Sequence, residues 1–104
     1  MGMYFHSFEG ITGEEIDKGI WIKSLSMNKN HLRHIVFEQE SLIPVHRHPE
    51  EVVTMILEGA MEMTVGSETR RVKVGDVFMV PPATEHSGRT FGNRVIAVSW
   101  SRGQ

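Results

Sequence analysis

The sequence predicts an all-β fold, a sandwich or barrel formed by one domain. Three observations lead there. Apolar residues recur at strand spacing along most of the chain, glycine and proline turn signals separate the runs, and no segment sustains a helical period. With 104 residues, the chain makes one domain, 1–104, and has no room for a second independent core.

The N-terminal part, residues 1–30, contains two strand candidates, "YFHSF" and "GIWIKSLS". In the second, Ile20 and Ile22 alternate with Trp21 and Lys23. Between them, "ITGEEIDKG" offers Thr12 as a helix N-cap ahead of Glu14 and Glu15. It also holds Gly13 and stops at Gly19, so it reads as a turn or irregular lead-in. "HLRHIVFEQE" is rich in strand formers. "EVVTMILEG" is an almost continuous apolar run of strand length, which suits a strand covered on both faces. "AMEMTVG" sets Met61, Met63 and Val65 against Glu62 and Thr64, and "TRRVKVG", "DVFMVPP" and "NRVIAVSW" complete the series. Turns fall at Glu58-Gly59, Gly66-Ser67, Gly75-Asp76, Pro81-Pro82 and Gly92-Asn93.

Composition limits the function. Apolar residues make up 39% of the chain and the formal net charge is -2, with both signs scattered, so no basic stripe points to nucleic acid or membrane. Cysteine is absent, which removes disulfides, thiolate ligands and a thiol nucleophile, and fits a reducing compartment. The start, Met1 to Gly10, lacks the apolar core of a secretory leader, and His6 stands where a myristoylation signal wants Ser or Thr. The expected location is the cytoplasm. A β domain this small gains stability by pairing, so a homodimer is expected, with the N-terminal strands as an arm that buries sheet edges.

The chemistry concentrates in "PVHRHPEEVVTMILEG". His46 and His48 are two residues apart, so on extended chain both imidazoles project from one face and can share a cation. A third imidazole, His86, follows Pro81 and Pro82, which end one strand and leave His86 to begin another. His6, His31 and His34 lack such a context. Arg33, Arg89 and Arg94 are candidates to hold a carboxylate, Arg33 above all, because an arginine inside an apolar strand needs solvent or a partner. Met55, Met61, Met63, Phe78, Met79 and Trp100 read as barrel core, and Phe91 and Trp100 could flank an organic ligand.

From Glu40 to Thr90 the chain resembles the cupin superfamily, small β-barrels of jelly-roll or double-stranded β-helix form. His46, His48 and Gly59 match its first motif. Gly75, Pro81 and His86 match its second, most specifically in "VGDVFMVPPATEH". The resemblance implies a single-domain cupin with its two motifs at 40–90, and one divalent transition metal (Zn, Fe, Ni, Mn or Cu) on His46, His48 and His86. There are departures. Glu40 and Ala83 replace motif glycines, which implies a differently built turn at Glu40, and Thr90 replaces an asparagine. The family's fourth ligand position falls on Val52, which cannot bind a cation. A three-histidine site is therefore favoured over one in which Glu50 or Glu51 reaches in through irregular backbone.

Within that superfamily the layout looks like the small pectin- and uronate-degradation cupins. This implies an isomerase- or lyase-like enzyme on a small sugar acid or keto acid, with a carboxylate-bearing small molecule as ligand. Their C-terminal Asp, aromatic and Arg are matched only loosely, by Trp100 and Arg102 without the acid. Arg33, Trp100 and Arg102 are thus the candidate catalytic residues, and no organic cofactor is expected. Two alternatives stand beside this reading: a three-histidine non-haem iron dioxygenase, similar in ligand set to the thiol and diketone dioxygenases, and a non-catalytic ligand-binding or sensor cupin.

Overall fold

The computed structural model describes residues 4–103. Ten strands account for the regular structure: β1 (Glu14–Asp17), β2 (Ile20–Met27), β3 (Asn30–Phe37), β4 (Leu42–His46), β5 (Glu51–Glu58), β6 (Ala60–Val65), β7 (Glu68–Lys73), β8 (Val77–Val80), β9 (His86–Arg89) and β10 (Val95–Arg102). They form a six-stranded sheet in the order β1-β2-β3-β10-β5-β8 and a four-stranded sheet in the order β4-β9-β6-β7. Every pairing is antiparallel. The expected all-β, single-domain fold is what forms. No helix among the described residues is long and apolar enough to cross a membrane.

Strand parity sorts the side chains. On β10, Val95, Ala97, Ser99 and Ser101 are buried, while Trp100 and Arg102 are exposed. The register then fixes the neighbours: Ser99 faces Arg33 on β3 and Thr54 on β5, and Ser101 pairs with Val52. The inner face of the larger sheet therefore carries Ile20, Arg33, Ile35, Phe37, Val52, Thr54 and Ile56. The core joins Ile20, Phe37, Ile56, Val95 and Ala97 to Met61, Met63 and Val72 of the smaller sheet. Ile56 and Met61 are 1% and 0% exposed, and burying such a side chain contributes about 1.5–3 kcal/mol.

Several expectations change. "ITGEEIDKG" contains a short strand, β1, despite its β-poor residues, because β2 offers it an edge. Residues 4–8 form no strand, and Met1–Met3, with the myristoylation-like start, lie outside the described residues. β1 pairs with β2 only over Ile20, Trp21 and Ile22, and β3 covers the other side of β2 along its length. Met55 and Met79 are 39% and 69% exposed on the outer face of the larger sheet and are not core.

The turns at the two lost glycines keep a glycine-like backbone. Glu40 has φ 58° and Ala83 has φ 56°, a left-handed conformation that costs an ordinary residue about 1–2 kcal/mol. The turn expected to be built differently at Glu40 is instead held by hydrogen bonds. Glu40 N donates to Phe91 O at 2.9 Å, Thr90 Oγ1 donates to Glu38 O at 2.6 Å, and Ser41 N donates to Thr90 Oγ1 at 2.9 Å. Thr90, in place of the motif asparagine, thus pins the strained turn. Ala83 N donates to His48 O at 2.8 Å, which ties the second motif to the first.

Candidate metal centre

His46 ends β4 and His86 opens β9, and the two are register partners. His48 lies just past β4, so the shared face of the His-x-His pair depends on the chain staying extended beyond the last ladder residue. The ring centroids of His46 and His86 are 4.1 Å apart, those of His48 and His86 4.8 Å, and those of His46 and His48 5.7 Å. One ring nitrogen from each histidine lies within 4.8 Å of the others.

The hydrogen bonds decide which nitrogens these are. His46 Nδ1 is 2.9 Å from Pro44 O, His48 Nδ1 is 3.0 Å from Glu50 O, and His86 Nδ1 is 2.9 Å from Thr84 O. A carbonyl oxygen only accepts, so each Nδ1 carries the proton and donates it. In the neutral ring, this leaves the bare lone pair of Nε2 as the atom each histidine can offer a cation. His86 is 8% exposed. Burial, together with any positive charge on His46 and His48, pushes its pKa below 6.5 and outweighs the opposing pull of the Thr84 carbonyl. The three Nδ1–H···O=C bonds thus align the trio as a ligand set. Three imidazoles suit zinc, iron, nickel or copper better than magnesium or calcium, so the donor set fits the transition metal that the fold implies.

The carboxylates stand apart. Glu50 Oε2 is 3.7 Å from His48 Nδ1, the ring nitrogen on the far side from the shared point. Glu51 is exposed at the register position of Arg102. Val52 lines the cavity with the histidines. Among the described residues, only the three histidines group as a cation site.

Behind them, between the sheets, lies a cavity of about 420 Å³, within the range typical of small-molecule sites. Apolar side chains from both sheets line most of it, including Ile22, Phe37, Met63 and Phe78. The polar groups are Arg33, Thr54, Ser99 and Asp17, besides the histidines. Of the three candidate catalytic residues, only Arg33 is here. Trp100 and Arg102 lie on the opposite face of β10, because each is one residue out of phase with Ser99 and Ser101. Arg89 and Arg94 are surface residues paired with Glu62 at 3.3 Å and Glu58 at 2.9 Å, and Phe91 lies beneath the Arg89 guanidinium. Thr54, Ser99 and Ser101 were missed from the sequence. The parity of Thr54 with Val52 was the available signal. A larger depression of about 600 Å³ beside β7 and β8 holds none of the histidines.

Comparison with known proteins agrees with this architecture. The cupin-domain family model matches residues 33–100. An uncharacterized protein of Methanocaldococcus jannaschii is 38% identical over 61 residues, 52% of this chain. The chain spans about half the length of that curated relative, 49% of it. An RmlC-like cupin from Shewanella frigidimarina superposes with a TM-score of 0.89 at 22% identity, covering 99% of this chain and 93% of the other. KdgF from Halomonas sp. gives 0.82 at 19% identity, with 89% and 88% covered. A predicted oxalate decarboxylase from Thermotoga maritima gives 0.83 at 20% identity, with 94% and 97% covered. These likenesses show the barrel alone, and the family match reaches from Arg33 through both histidine motifs to Trp100. The chain belongs to the cupin family.

Proposed function

We propose that the protein is a metal-dependent enzyme of isomerase or lyase type that acts on a small carboxylate-bearing acid. One divalent transition metal would sit on His46, His48 and His86. The observation that carries this reading is the set of three Nδ1–H···O=C hydrogen bonds, which turns three Nε2 lone pairs toward one another beside a cavity between the sheets. A metal held there would polarise a substrate carbonyl or acidify a bound water. The chain's own residues do the rest. Apolar walls exclude water, the Thr54 and Ser99 hydroxyls offer hydrogen bonds, and Arg33 supplies positive charge. Val52, where relatives place a ligand, leaves the corresponding position to substrate or water. The name of one barrel of the same shape, the predicted oxalate decarboxylase, implies a small carboxylate substrate.

A three-histidine iron dioxygenase is the second reading, favoured by the same lack of a carboxylate among the grouped residues. The separating experiment loads the protein with zinc, nickel or iron(II) in turn. Each form is incubated with sugar acids, 2-oxo acids and 1,3-diketones, with product and oxygen followed. Turnover without oxygen use supports the isomerase or lyase. Oxygen uptake confined to the iron form would replace it with the dioxygenase. Metal-bound protein that turns over nothing, yet binds one of these acids, would point to a sensor.

We further propose a homodimer in the cytoplasm. The compartment rests on composition alone. The dimer rests on the outer face of the six-stranded sheet, where Trp21, Leu32, Met55, Leu57, Met79 and Trp100 are each more than a third exposed. Four eight-residue strands cover a footprint of about 20 by 26 Å. With its side-chain relief, that approaches the roughly 800 Å² per partner of a standard interface.

A further inference from the structure

Arg33 places a guanidinium in a cavity whose walls are mostly aliphatic and aromatic. It sits on β3 in phase with Ile35 and Phe37, on the inner face. Its Nη1 donates to Ser101 Oγ at 2.9 Å. Among the described residues no carboxylate lies within ion-pair distance of it. Asp17, the one acid lining the same cavity, instead accepts a hydrogen bond from Lys18 N at 3.0 Å. A half-buried positive charge with five N–H donors is thus met by one neutral hydroxyl. Charges withdrawn from water require a partner, and the planar fork fits a carboxylate with two parallel hydrogen bonds.

The register shows where the fork points. Arg33 stands opposite Ser99, yet its side chain reaches Ser101, one inward position further along β10. Ser101 pairs with Val52. The guanidinium therefore reaches the row of Val52, which lines the same cavity as the three histidines. A carboxylate docked on it shares the cavity with the three histidines, and the remainder of the ligand faces the apolar walls.

Those walls discriminate between acids. Apart from charged groups and imidazoles, Thr54 and Ser99 are the polar side chains that line the cavity. A polyhydroxylated acid would bring more hydroxyls than they can match, and each unmatched hydroxyl weakens binding about tenfold. An aliphatic or aromatic side chain has no such penalty. We propose that Arg33 anchors the carboxylate of a 2-oxo acid with an apolar side chain, and that the cavity selects such acids over sugar acids. This deepens the proposed function and rests on its reading of the metal-centred cavity as the substrate site.

The test is calorimetric titration of the full chain, metal-free and zinc-loaded. The probes are 4-methyl-2-oxopentanoate, 4-methylpentanoate and D-galacturonate. The oxo acid should bind the zinc form at least about tenfold more tightly than galacturonate. Arg33→Met should weaken it by about tenfold or more and Arg33→Lys by less, because a point charge replaces only part of the fork. Ser101→Ala, which frees the guanidinium without removing it, should weaken it by less than Arg33→Met. Thermal melting of each variant separates lost anchoring from lost folding. In metal-free protein, 4-methylpentanoate should still bind in an Arg33-dependent way, so the anchor is tested even if the histidines hold no metal. Galacturonate binding as tightly as the oxo acid would overturn the selectivity. Unchanged affinity in a folded Arg33→Met protein, or no binding of any probe, would overturn the anchor.

Discussion

Val52→Glu adds a carboxylate at the inward position beside the histidine trio, and the structure fixes what it should do. Val52 faces the cavity with His46, His48 and His86. It pairs with Ser101, the residue that holds Arg33. Without metal, the new carboxylate loses part of its hydration and finds the Arg33 guanidinium, so apo stability should fall only modestly. With metal, it completes a four-ligand set. If it tightens binding tenfold, the added stabilisation at saturating metal is about 1.4 kcal/mol. For a domain of this size each kcal/mol moves Tm by about 4–8 °C, so the zinc-induced rise should exceed the wild-type rise by about 6–11 °C. The assay is a zinc titration followed by thermal melting. Acid binding should weaken in the same variant, because the new side chain occupies the open position and neutralises Arg33. A zinc-induced shift equal to wild type would refute the placement of Val52 at the metal. So would a sharp loss of metal binding in a Glu50→Val or Glu51→Val protein, which would make that carboxylate the fourth ligand.

Three further outcomes follow from particular contacts. Gly88→Ala should destabilise by about 1–3 kcal/mol in urea melts, because the added methyl would run into Met63 Sδ and lie 3.0 Å from the Glu62 carbonyl oxygen; an unchanged midpoint would contradict this packing. Metal-free protein should lose stability as pH falls from 6.5 through the lowered pKa of His86. In that window the unfolded histidine takes a proton that the folded one refuses, so stability rises with pH. The difference between wild type and His86→Gln in urea melts at pH 7.5 and 5.5 isolates this effect, and a wild-type advantage that grows at pH 5.5 would contradict it. Light scattering at micromolar concentration should give twice 11.8 kDa for wild type and a monomer for Trp100→Lys; a monomeric wild type, or a dimeric variant, would remove the sheet-face interface.

Much of the site was legible because strand parity is local. The shared face of His46 and His48 follows from their two-residue spacing, and the proline pair placed His86 at a strand start. Other features were hidden for identifiable reasons. In "EVVTMILEG" both faces are apolar, so alternation could not tell that Val52, Thr54 and Ile56 face inward while Met55 faces out. β1 has no β-forming run of its own and exists through its pairing with β2. The contact between Arg33 and Ser101 spans 68 residues of sequence, and the partner of a single arginine cannot be read from spacing. Trp100 and Arg102 were tempting as substitutes for a C-terminal catalytic set, but a one-residue phase on β10 turns both away from the cavity. The strained turns at Glu40 and Ala83 show a backbone conformation that outlasted the glycines suited to it, held by Thr90 at one turn and by the His48 carbonyl at the other.

The central claim is that His46, His48 and His86 together hold one transition metal. Elemental analysis after metal loading and removal of excess tests it most directly. Wild type and His31→Ala, whose imidazole is bonded to Ser26 on the β2–β3 hairpin, should each retain about one equivalent per chain. His46→Ala, His48→Ala and His86→Ala should each retain far less while melting as folded proteins. Equal occupancy in wild type and His48→Ala would show that the trio is not the metal site.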